Sequence, residues 1–137
     1  MIRRRRILLA DDHALVRAGI RALLQSLPGV EVVGETGNGL DALDRVRRDP
    51  PDVILLDITL PGLNGLDVAA RIERLGVPTR VLMLSMHASP EYAARAFAAG
   101  AIGYLNKDSA FDELATALDA VCAGRRYLCR AIDPELV

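Results

Sequence analysis

A short apolar run that ends in an acid constrains the fold of this chain more than any other stretch. Residues Val53 to Leu56 show no polar alternation, and Pro50-Pro51 and Pro61-Gly62 stand on either side of them. A run of this kind is too short for a helix and is typical of a parallel strand that is covered on both faces. Asp57 follows directly, where open parallel sheets bind ligands. It is therefore either a site residue or a solvated loop acid, and the run alone does not decide between them.

Five apolar runs alternate along the chain with stretches that have helical spacing. The predicted strands cover residues 7–10, 30–35, 53–56, 81–85 and 102–105, and each precedes a predicted helix. Because parallel neighbours need right-handed helical crossovers, this alternation predicts an α/β domain with three layers. In the doubly wound strand order 2-1-3-4-5, the binding crevice lies between strands one and three. Asp11, Asp12 and Asp57 would meet over that crevice.

Two of the predicted helices have specific start signals. Ser89 is the expected N-cap of the fourth helix, with Pro90 at the first helical position. Ser109, with Asp112 three residues later, approximates a capping box for the fifth helix. Both signals place a helix shortly after a predicted strand, as the alternation requires.

The composition is that of one folded domain. The chain has 137 residues, of which 51% are hydrophobic and 26% charged, enough for a single substantial core. Its formal net charge of -1 gives no general nucleic-acid footprint, and the basic run Arg3–Arg6 is interpreted as a solvated strand flank. Cys122 and Cys129 form neither a Cys-x-x-Cys motif nor a disulfide framework. With no apolar stretch typical of a membrane span or signal peptide, we expect a reduced, cytoplasmic location and no membrane partner.

The acids at the strand ends indicate a cation site. Three converging carboxylates would repel one another unless a cation neutralises them. Hard oxygen ligands with room for several waters suit Mg²⁺, and Mg²⁺ in turn suggests a phosphate. Ser85 ends the fourth predicted strand and Lys107 follows the fifth, so a hydroxyl and an ammonium could face the same crevice. The set predicts phosphoryl transfer, with Asp57 as a nucleophile that forms an aspartyl-phosphate.

The residues that carry a family resemblance are Asp11-Asp12, Asp57 with Pro61-Gly62-x-x-Gly65, Ser85, Tyr104 and Lys107. Together they resemble the receiver domain of two-component response regulators, and the match covers nearly the whole chain. The resemblance implies the CheY-like, flavodoxin-like form of the doubly wound (βα)5 fold, with a five-stranded parallel sheet in the order 2-1-3-4-5 between two helical layers. It also implies a phosphorylation-dependent signalling switch.

The resemblance assigns roles to the acidic residues. Asp57 would accept the phosphoryl group from a sensor histidine kinase. Asp12 would bind Mg²⁺ directly and Asp11 through water, while Asp57 and the backbone carbonyl of Thr59 would complete the protein ligands. The cofactor implied is therefore Mg²⁺.

The resemblance also assigns the switch. Lys107 would pair with a phosphate oxygen, and phosphorylation would draw the Ser85 hydroxyl toward the phosphate. Tyr104 would rotate inward and remodel the face formed by helix four, strand five and helix five.

The sequence around the predicted fourth and fifth strands and after the fifth helix looks like the LuxR/NarL-type subgroup. The matching stretches are Leu84–His87, Tyr104–Asp108 and Ala123–Leu128. Receivers of this type precede a helix-turn-helix output domain. We therefore expect a receiver domain at residues 1–124 and, at 125–137, the start of a linker in a chain truncated before that output domain. Homodimerisation on phosphorylation and DNA binding only through the missing domain are the implied interactions.

Taken singly, the site residues have ordinary structural explanations. Asp11-Asp12 could cap the first helix, because Asp is a favoured N-cap. Ser85 could be a strand-end hydroxyl, Lys107 a solvated lysine and Tyr104 an aromatic at the edge of the core. Their joint occurrence at successive strand ends favours the functional interpretation.

Two other functions compete with a signalling switch. Gly37-x-Gly39-x-x-Ala42 fits a dinucleotide-binding fingerprint, but that function gives the strand-end residues no role. The motif also follows a strand that we expect at the edge of the sheet, and Asn38 is better explained as a helix cap. A Mg²⁺-dependent aspartyl-phosphate phosphatase would typically carry a second Asp two residues after the nucleophile, where this chain has Thr59. We therefore expect no enzyme activity beyond the domain's own phosphorylation and dephosphorylation.

Overall fold

The computed structural model describes residues 4–137, and strands and helices alternate along most of that length. The strands are β1 (Arg5–Ala10), β2 (Val30–Thr36), β3 (Val53–Asp57), β4 (Arg80–Ser85), β5 (Gly103–Asn106) and β6 (Tyr127–Leu128). The helices are α1 (Ala14–Ser26), α2 (Gly39–Arg48), α3 (Gly65–Leu75), α4 (Pro90–Ala98) and α5 (Ala110–Cys122), with short 3-10 turns at Lys107–Ser109 and Pro134–Leu136. Of the basic run at the start of the chain, Arg3 lies outside the described residues, and β1 begins at Arg5.

The strands form one parallel sheet in the order β2-β1-β3-β4-β5-β6. The predicted order 2-1-3-4-5 and the α/β class are confirmed. Helices α1 and α5 contact each other, and α2, α3 and α4 contact in sequence, which gives a helical layer on each face of the sheet. Strand β3 lies in the middle, and all five of its residues are buried. This burial on both faces explains why its sequence shows no polar alternation.

The sheet has one more strand than the sequence predicted. Strand β6 pairs with β5 through two backbone hydrogen bonds. The Tyr127 N–H donates to the Ile102 carbonyl and the Cys129 N–H donates to the Tyr104 carbonyl, each over 3.0 Å. A strand of two residues has no apolar run long enough to be recognised in a sequence. The proposed boundary after residue 124 stays a prediction, although β6 shows that the following residues pair with the sheet.

The two predicted helix starts differ in outcome. Ser89 caps α4 by accepting a hydrogen bond from the Tyr92 N–H over 3.3 Å, with Pro90 next in the chain, as predicted. The capping box at Ser109 is wrong, because the 3-10 turn already gives this residue helical backbone angles. Its hydroxyl instead donates backwards to the Asn106 carbonyl over 3.1 Å.

A membrane-spanning helix was not expected from the sequence. Among residues 4–137, no helix is both long and apolar enough to cross a bilayer.

Candidate functional site

The acidic residues meet at the carboxyl ends of two neighbouring strands. Strands β1 and β3 pair in register with Ala10 opposite Leu56, so Asp11 and Asp57 follow at the same level of the sheet. One ligand atom from each of Asp11, Asp12, His13 and Asp57 lies within 4.8 Å of all the others. Asp11 and Asp57 are buried, whereas 35% of the Asp12 side chain is exposed. The predicted acidic cluster therefore forms, with one open side.

Lys107 reaches this cluster from the 3-10 turn that follows β5. Its ammonium lies 2.8 Å from Asp57 Oδ2 and 3.1 and 3.0 Å from the two carboxylate oxygens of Asp11. It is the only lysine in the chain, and its side chain is 3% exposed. One ammonium facing three carboxylates leaves the cluster negative when all of them are ionised. The site therefore contains one fixed cation and keeps a negative charge that a second cation would neutralise.

Burial dominates the electrostatics of Asp57. Desolvation raises the pKa of this carboxyl above its ordinary value, and the Asp11 charge adds to the effect. The hydrogen bond and charge of Lys107, together with the N–H of Thr59, which donates to Asp57 Oδ1 over 3.1 Å, offset only part of that rise. A divalent cation beside the carboxylate would favour its ionised form.

The donor set fits a hard divalent cation. Asp11 Oδ2 is a buried oxygen without a hydrogen bond in the described part of the chain. The Lys107 ammonium lies 3.0 Å away and forms an ion pair with this oxygen but no hydrogen bond to it. A buried carboxylate oxygen with free lone pairs, beside two further carboxylates, is the kind of ligand set that Mg²⁺ or Ca²⁺ uses. The structure therefore supports an acidic site that could hold a metal.

The Asp-Asp pair does not cap the first helix through its side chains. His13 is the N-cap residue of α1 and makes no side-chain cap hydrogen bond. Asp11 Oδ1 instead accepts a hydrogen bond from the His13 N–H over 2.8 Å, which fixes the turn that leads into α1. The capping alternative is therefore wrong for Asp11, and its second oxygen remains directed to the site.

His13 is a site residue that the sequence interpretation missed. Its Nδ1 lies 3.2 Å from Asp11 Oδ1, 3.3 Å from Asp12 Oδ1 and 2.9 Å from Lys107 Nζ. The available signal was its position directly after Asp11-Asp12, at the turn between a strand end and a helix. The side chain of a histidine at that turn can point back toward the acids that precede it.

The switch residues are joined through the loop after β4 and not through Asp57. Ser85 Oγ accepts a hydrogen bond from the His87 N–H over 3.1 Å, and the Tyr104 hydroxyl donates to the His87 carbonyl over 2.7 Å. Tyr104 is fully buried, so its ring is already in the inward position. Within residues 4–137, no hydrogen bond joins Ser85 to Asp57. Both predicted switch side chains therefore form a hydrogen bond with the backbone of the same loop residue, His87.

Glycine is required where α3 approaches the end of β3. A Cβ added to Gly65 would lie 2.2 Å from the carbonyl oxygen of Asp57, and the Gly65 N–H donates to the Ile58 carbonyl over 2.7 Å. The last residue of the Pro61-Gly62-x-x-Gly65 motif therefore allows α3 to pack against the backbone of Asp57.

The dinucleotide-like motif has a structural role. Strand β2 is at the sheet edge, as predicted, and the Asn38 side chain caps α2 by accepting from the N–H groups of Leu40 and Asp41 over 2.8 and 3.2 Å. A Cβ on Gly39 would lie 1.8 Å from the Leu63 carbonyl oxygen. The start of α2 is closed by a side-chain cap and a neighbouring loop, which leaves no room for a pyrophosphate.

Comparison with known proteins agrees with this architecture. A family model described as the response regulator receiver domain matches residues 7–119. The chain belongs to this family. The receiver domain is 39% identical over 130 residues to the response regulator UvrY of Escherichia coli (strain K12), an alignment that covers 95% of this chain and 60% of UvrY. The chain thus spans somewhat less than two thirds of that relative.

Two solved structures resemble this receiver domain closely. One is a LuxR-family response regulator from Aurantimonas sp. SI85-9A1, with 38% identity, a TM-score of 0.85 and coverage of 96% of this chain and 91% of that one. The other is the signal receiver domain of the response regulator NarL from Mycobacterium tuberculosis, with 39% identity, a TM-score of 0.85 and coverage of 90% and 99%. These matches confirm the LuxR/NarL-type resemblance and the CheY-like fold.

Proposed function

We propose that this receiver domain is a phosphorylation-controlled switch, in which Asp57 accepts a phosphoryl group from a sensor histidine kinase with the help of Mg²⁺. The observation that carries the proposal is the Asp57 carboxylate, buried at a strand end, 2.8 Å from the Lys107 ammonium and inside a cluster of further acids. A carboxylate nucleophile needs such a setting because phosphoryl transfer depends on positioning and on neutralising charge.

The transfer would exchange one phosphorus bond for another. A carboxylate oxygen of Asp57 attacks phosphorus, the phosphorus–nitrogen bond of a phosphohistidine breaks, and the kinase imidazole leaves. Mg²⁺ bound by Asp11, Asp12, Asp57 and the Thr59 carbonyl would neutralise charge on the phosphoryl oxygens. Lys107, now bonded to Asp57 Oδ2, would move its hydrogen bond to a phosphoryl oxygen.

The structural change caused by phosphorylation would reach α4 through the loop that contains His87. A phosphoryl group on Asp57 offers new acceptors to the Ser85 hydroxyl, whose oxygen now accepts from the His87 N–H. A shift of Ser85 would alter the loop that Tyr104 holds from the other side through the His87 carbonyl. Because this loop leads into α4, the surface that changes would be the one formed by α4, β5 and α5.

Several wider aspects of the function are also proposed. The chain spans 60% of the response regulator UvrY, which supports a two-component pathway. By the same likeness we propose a cytoplasmic location, homodimerisation on phosphorylation and DNA binding through an output domain outside this chain. Catalysis would be limited to the domain's own phosphorylation and dephosphorylation. Thr59 favours this limit over an aspartyl-phosphate phosphatase, because no second acid stands there as a general acid.

Intact-mass analysis with a small phosphodonor tests the proposal. We expect one phosphoryl adduct in the presence of Mg²⁺, none with a chelator and none in Asp57→Asn. Asp67→Asn is the matched control, because this acid is exposed on α3 away from the cluster. A wild-type protein without an adduct, or an equal adduct on Asp57→Asn, would overturn the proposal. Repeated release of phosphate from an external phosphoester would instead support the phosphatase.

A further inference from the structure

The residues that follow α5 contact all three elements of the surface formed by α4, β5 and α5. On α4, the centre of the Phe97 ring lies 4.2 Å from Cζ of the Arg126 guanidinium. Strand β6 pairs with β5, where the Cys129 N–H donates to the Tyr104 carbonyl, and Cys129 is fully buried. Residues 126–132, which we call the latch, therefore lie on the surface that phosphorylation is proposed to change.

A single oxygen atom of α5 anchors the latch. Glu113 Oε1 accepts a hydrogen bond from the Tyr127 hydroxyl over 2.6 Å and another from the Arg130 N–H over 3.0 Å. The Arg130 side chain adds an ion pair to the same oxygen, with Nε 3.6 Å away. Glu113 is a buried residue, and a buried carboxylate is costly unless donors surround it. Because the latch supplies these donors, Glu113 stabilises the latch in its closed position.

Tyr104 joins the latch to the loop after β4. Its hydroxyl donates to the His87 carbonyl over 2.7 Å, while its backbone carbonyl accepts from the Cys129 N–H over 3.0 Å. The His87 N–H in turn donates to Ser85 Oγ over 3.1 Å. A series of hydrogen bonds, linked through single residues, therefore runs from the hydroxyl beside the proposed phosphorylation site to the backbone of β6.

The latch is attached by the shortest strand pairing of the sheet. Strand β6 has two residues and lies at the edge, whereas β5 has four residues and lies between β4 and β6. Segments with few hydrogen bonds open locally at a lower free energy than the centre of a sheet. A displacement of Tyr104 would therefore break the pairing with β6 before it breaks the pairing with β4.

We propose that phosphorylation of Asp57 releases the latch from β5. The inference rests on the proposed function and deepens it by naming the segment that responds. When the phosphoryl group takes the Ser85 hydroxyl, the His87 N–H loses its acceptor and the loop after β4 shifts. Tyr104 follows through its hydroxyl, and the Cys129 N–H then loses its partner. The proposed output domain would follow the latch in the chain, so the latch stands between the phosphorylation site and that domain.

Thiol labelling of Cys129 measures the release. The chain has two cysteines, so Cys122→Ala leaves Cys129 as the single reactive group. Because Cys129 is fully buried, we expect slow reaction with a maleimide in the unphosphorylated protein. After a small phosphodonor and Mg²⁺ have formed the adduct, labelling should be faster by about fivefold or more. Amide exchange in β1, which lies inside the sheet, should stay unchanged.

Tyr104→Phe tests the route from the site to the latch. The substitution keeps the ring and removes the hydrogen bond to the His87 carbonyl, so phosphorylation should accelerate the labelling of Cys129 by less than about twofold. Tyr92→Phe is the matched control, because Tyr92 contacts His87 through its ring, which the substitution keeps. This control should show the full response.

The outcomes separate the latch from the proposed function. An adduct on Asp57 without faster labelling of Cys129 would overturn the inference and leave the proposed function intact. Equal acceleration in Tyr104→Phe, or a matching acceleration of amide exchange in β1, would also overturn the inference. A protein that forms no adduct would overturn both.

Discussion

The Lys107 ammonium donates a hydrogen bond to Asp57 Oδ2 over 2.8 Å, and the two side chains are 3% and 2% exposed. Removing one partner of a buried ion pair leaves a charge without compensation in a poorly solvated place. Without Lys107, the Asp57 carboxylate would be left uncompensated within a cluster of acids. Lys107 is therefore expected to hold the site together whenever no metal ion is bound.

Replacing this lysine tests that role. We expect Lys107→Met to lower the free energy of unfolding by about 3 kcal/mol in the presence of a chelator, because the Asp11 and Asp57 carboxylates lose their shared cation. Saturating Mg²⁺ should restore more stability to the variant than it adds to the wild type. Urea unfolding with and without Mg²⁺ measures both effects. Arg17→Met is the control, because Arg17 donates a hydrogen bond to the backbone carbonyl of Asp11 and not to its carboxylate. A loss of stability of the same size and metal dependence in that variant would contradict the prediction.

The hydroxyl of Tyr104 is expected to restrain the loop after β4. Tyr104→Phe keeps the buried ring but removes the 2.7 Å hydrogen bond to the His87 carbonyl, so we expect a loss of about 1 kcal/mol and faster amide exchange at residues 86–88. Hydrogen exchange read by mass spectrometry measures the loop directly. Tyr127→Phe removes a different hydroxyl bond, to Glu113, and should leave this loop unchanged. Equal protection of residues 86–88 in Tyr104→Phe and wild type would refute the restraint.

The sequence predicted those parts of the molecule that depend on periodicity. Apolar runs such as β3 predicted the strands, and the strand order then brought Asp11 and Asp57 together, because the carboxyl ends of parallel strands meet at one edge. The position of His13 could not be derived in this way, since it depends on how one turn returns an imidazole toward the preceding acids.

Strand β6 and the position of the switch residues also required three-dimensional information. The strand forms because two backbone N–H groups donate to the carbonyls of Ile102, just before β5, and Tyr104 within it, and backbone groups leave no signature in a sequence. The shared contact of Ser85 and Tyr104 with His87 likewise depends on the path of a loop. Local patterns predict elements and their ends, whereas contacts across elements follow from packing.

Gly65 is predicted to control both packing and the position of Asp57. A Cβ at this residue would lie 2.2 Å from the Asp57 carbonyl oxygen and 2.8 Å from Ile58 Cα, so α3 or β3 would have to move. We expect Gly65→Ala to cost about 1–3 kcal/mol and to slow phosphorylation by a small phosphodonor. Gly76→Ala is the matched control, because Gly76 has a φ of +68° and no atom within 4 Å of an added Cβ. Both variants should lose stability by urea unfolding, and only Gly65→Ala should lose phosphorylation rate; equal rates would contradict the prediction.

The buried carboxylate of Glu113 makes a pH-dependent contribution to stability. Burial raises the pKa of Glu113, but hydrogen bonds from the Tyr127 hydroxyl over 2.6 Å and the Arg130 N–H over 3.0 Å outweigh it, so the pKa lies below its ordinary value of 4.5. As the pH falls, the unfolded chain takes up this proton first, so the stability is complete above the ordinary pKa and is lost as the pH falls through the folded one. We therefore expect the difference in unfolding free energy between wild type and Glu113→Gln to be constant from about pH 6 to 7 and to shrink below about pH 4.5. Urea unfolding over this range measures it, with the exposed Glu135→Gln as control. A difference that is independent of pH, or that grows on acidification, would show that the carboxylate does not contribute in this way.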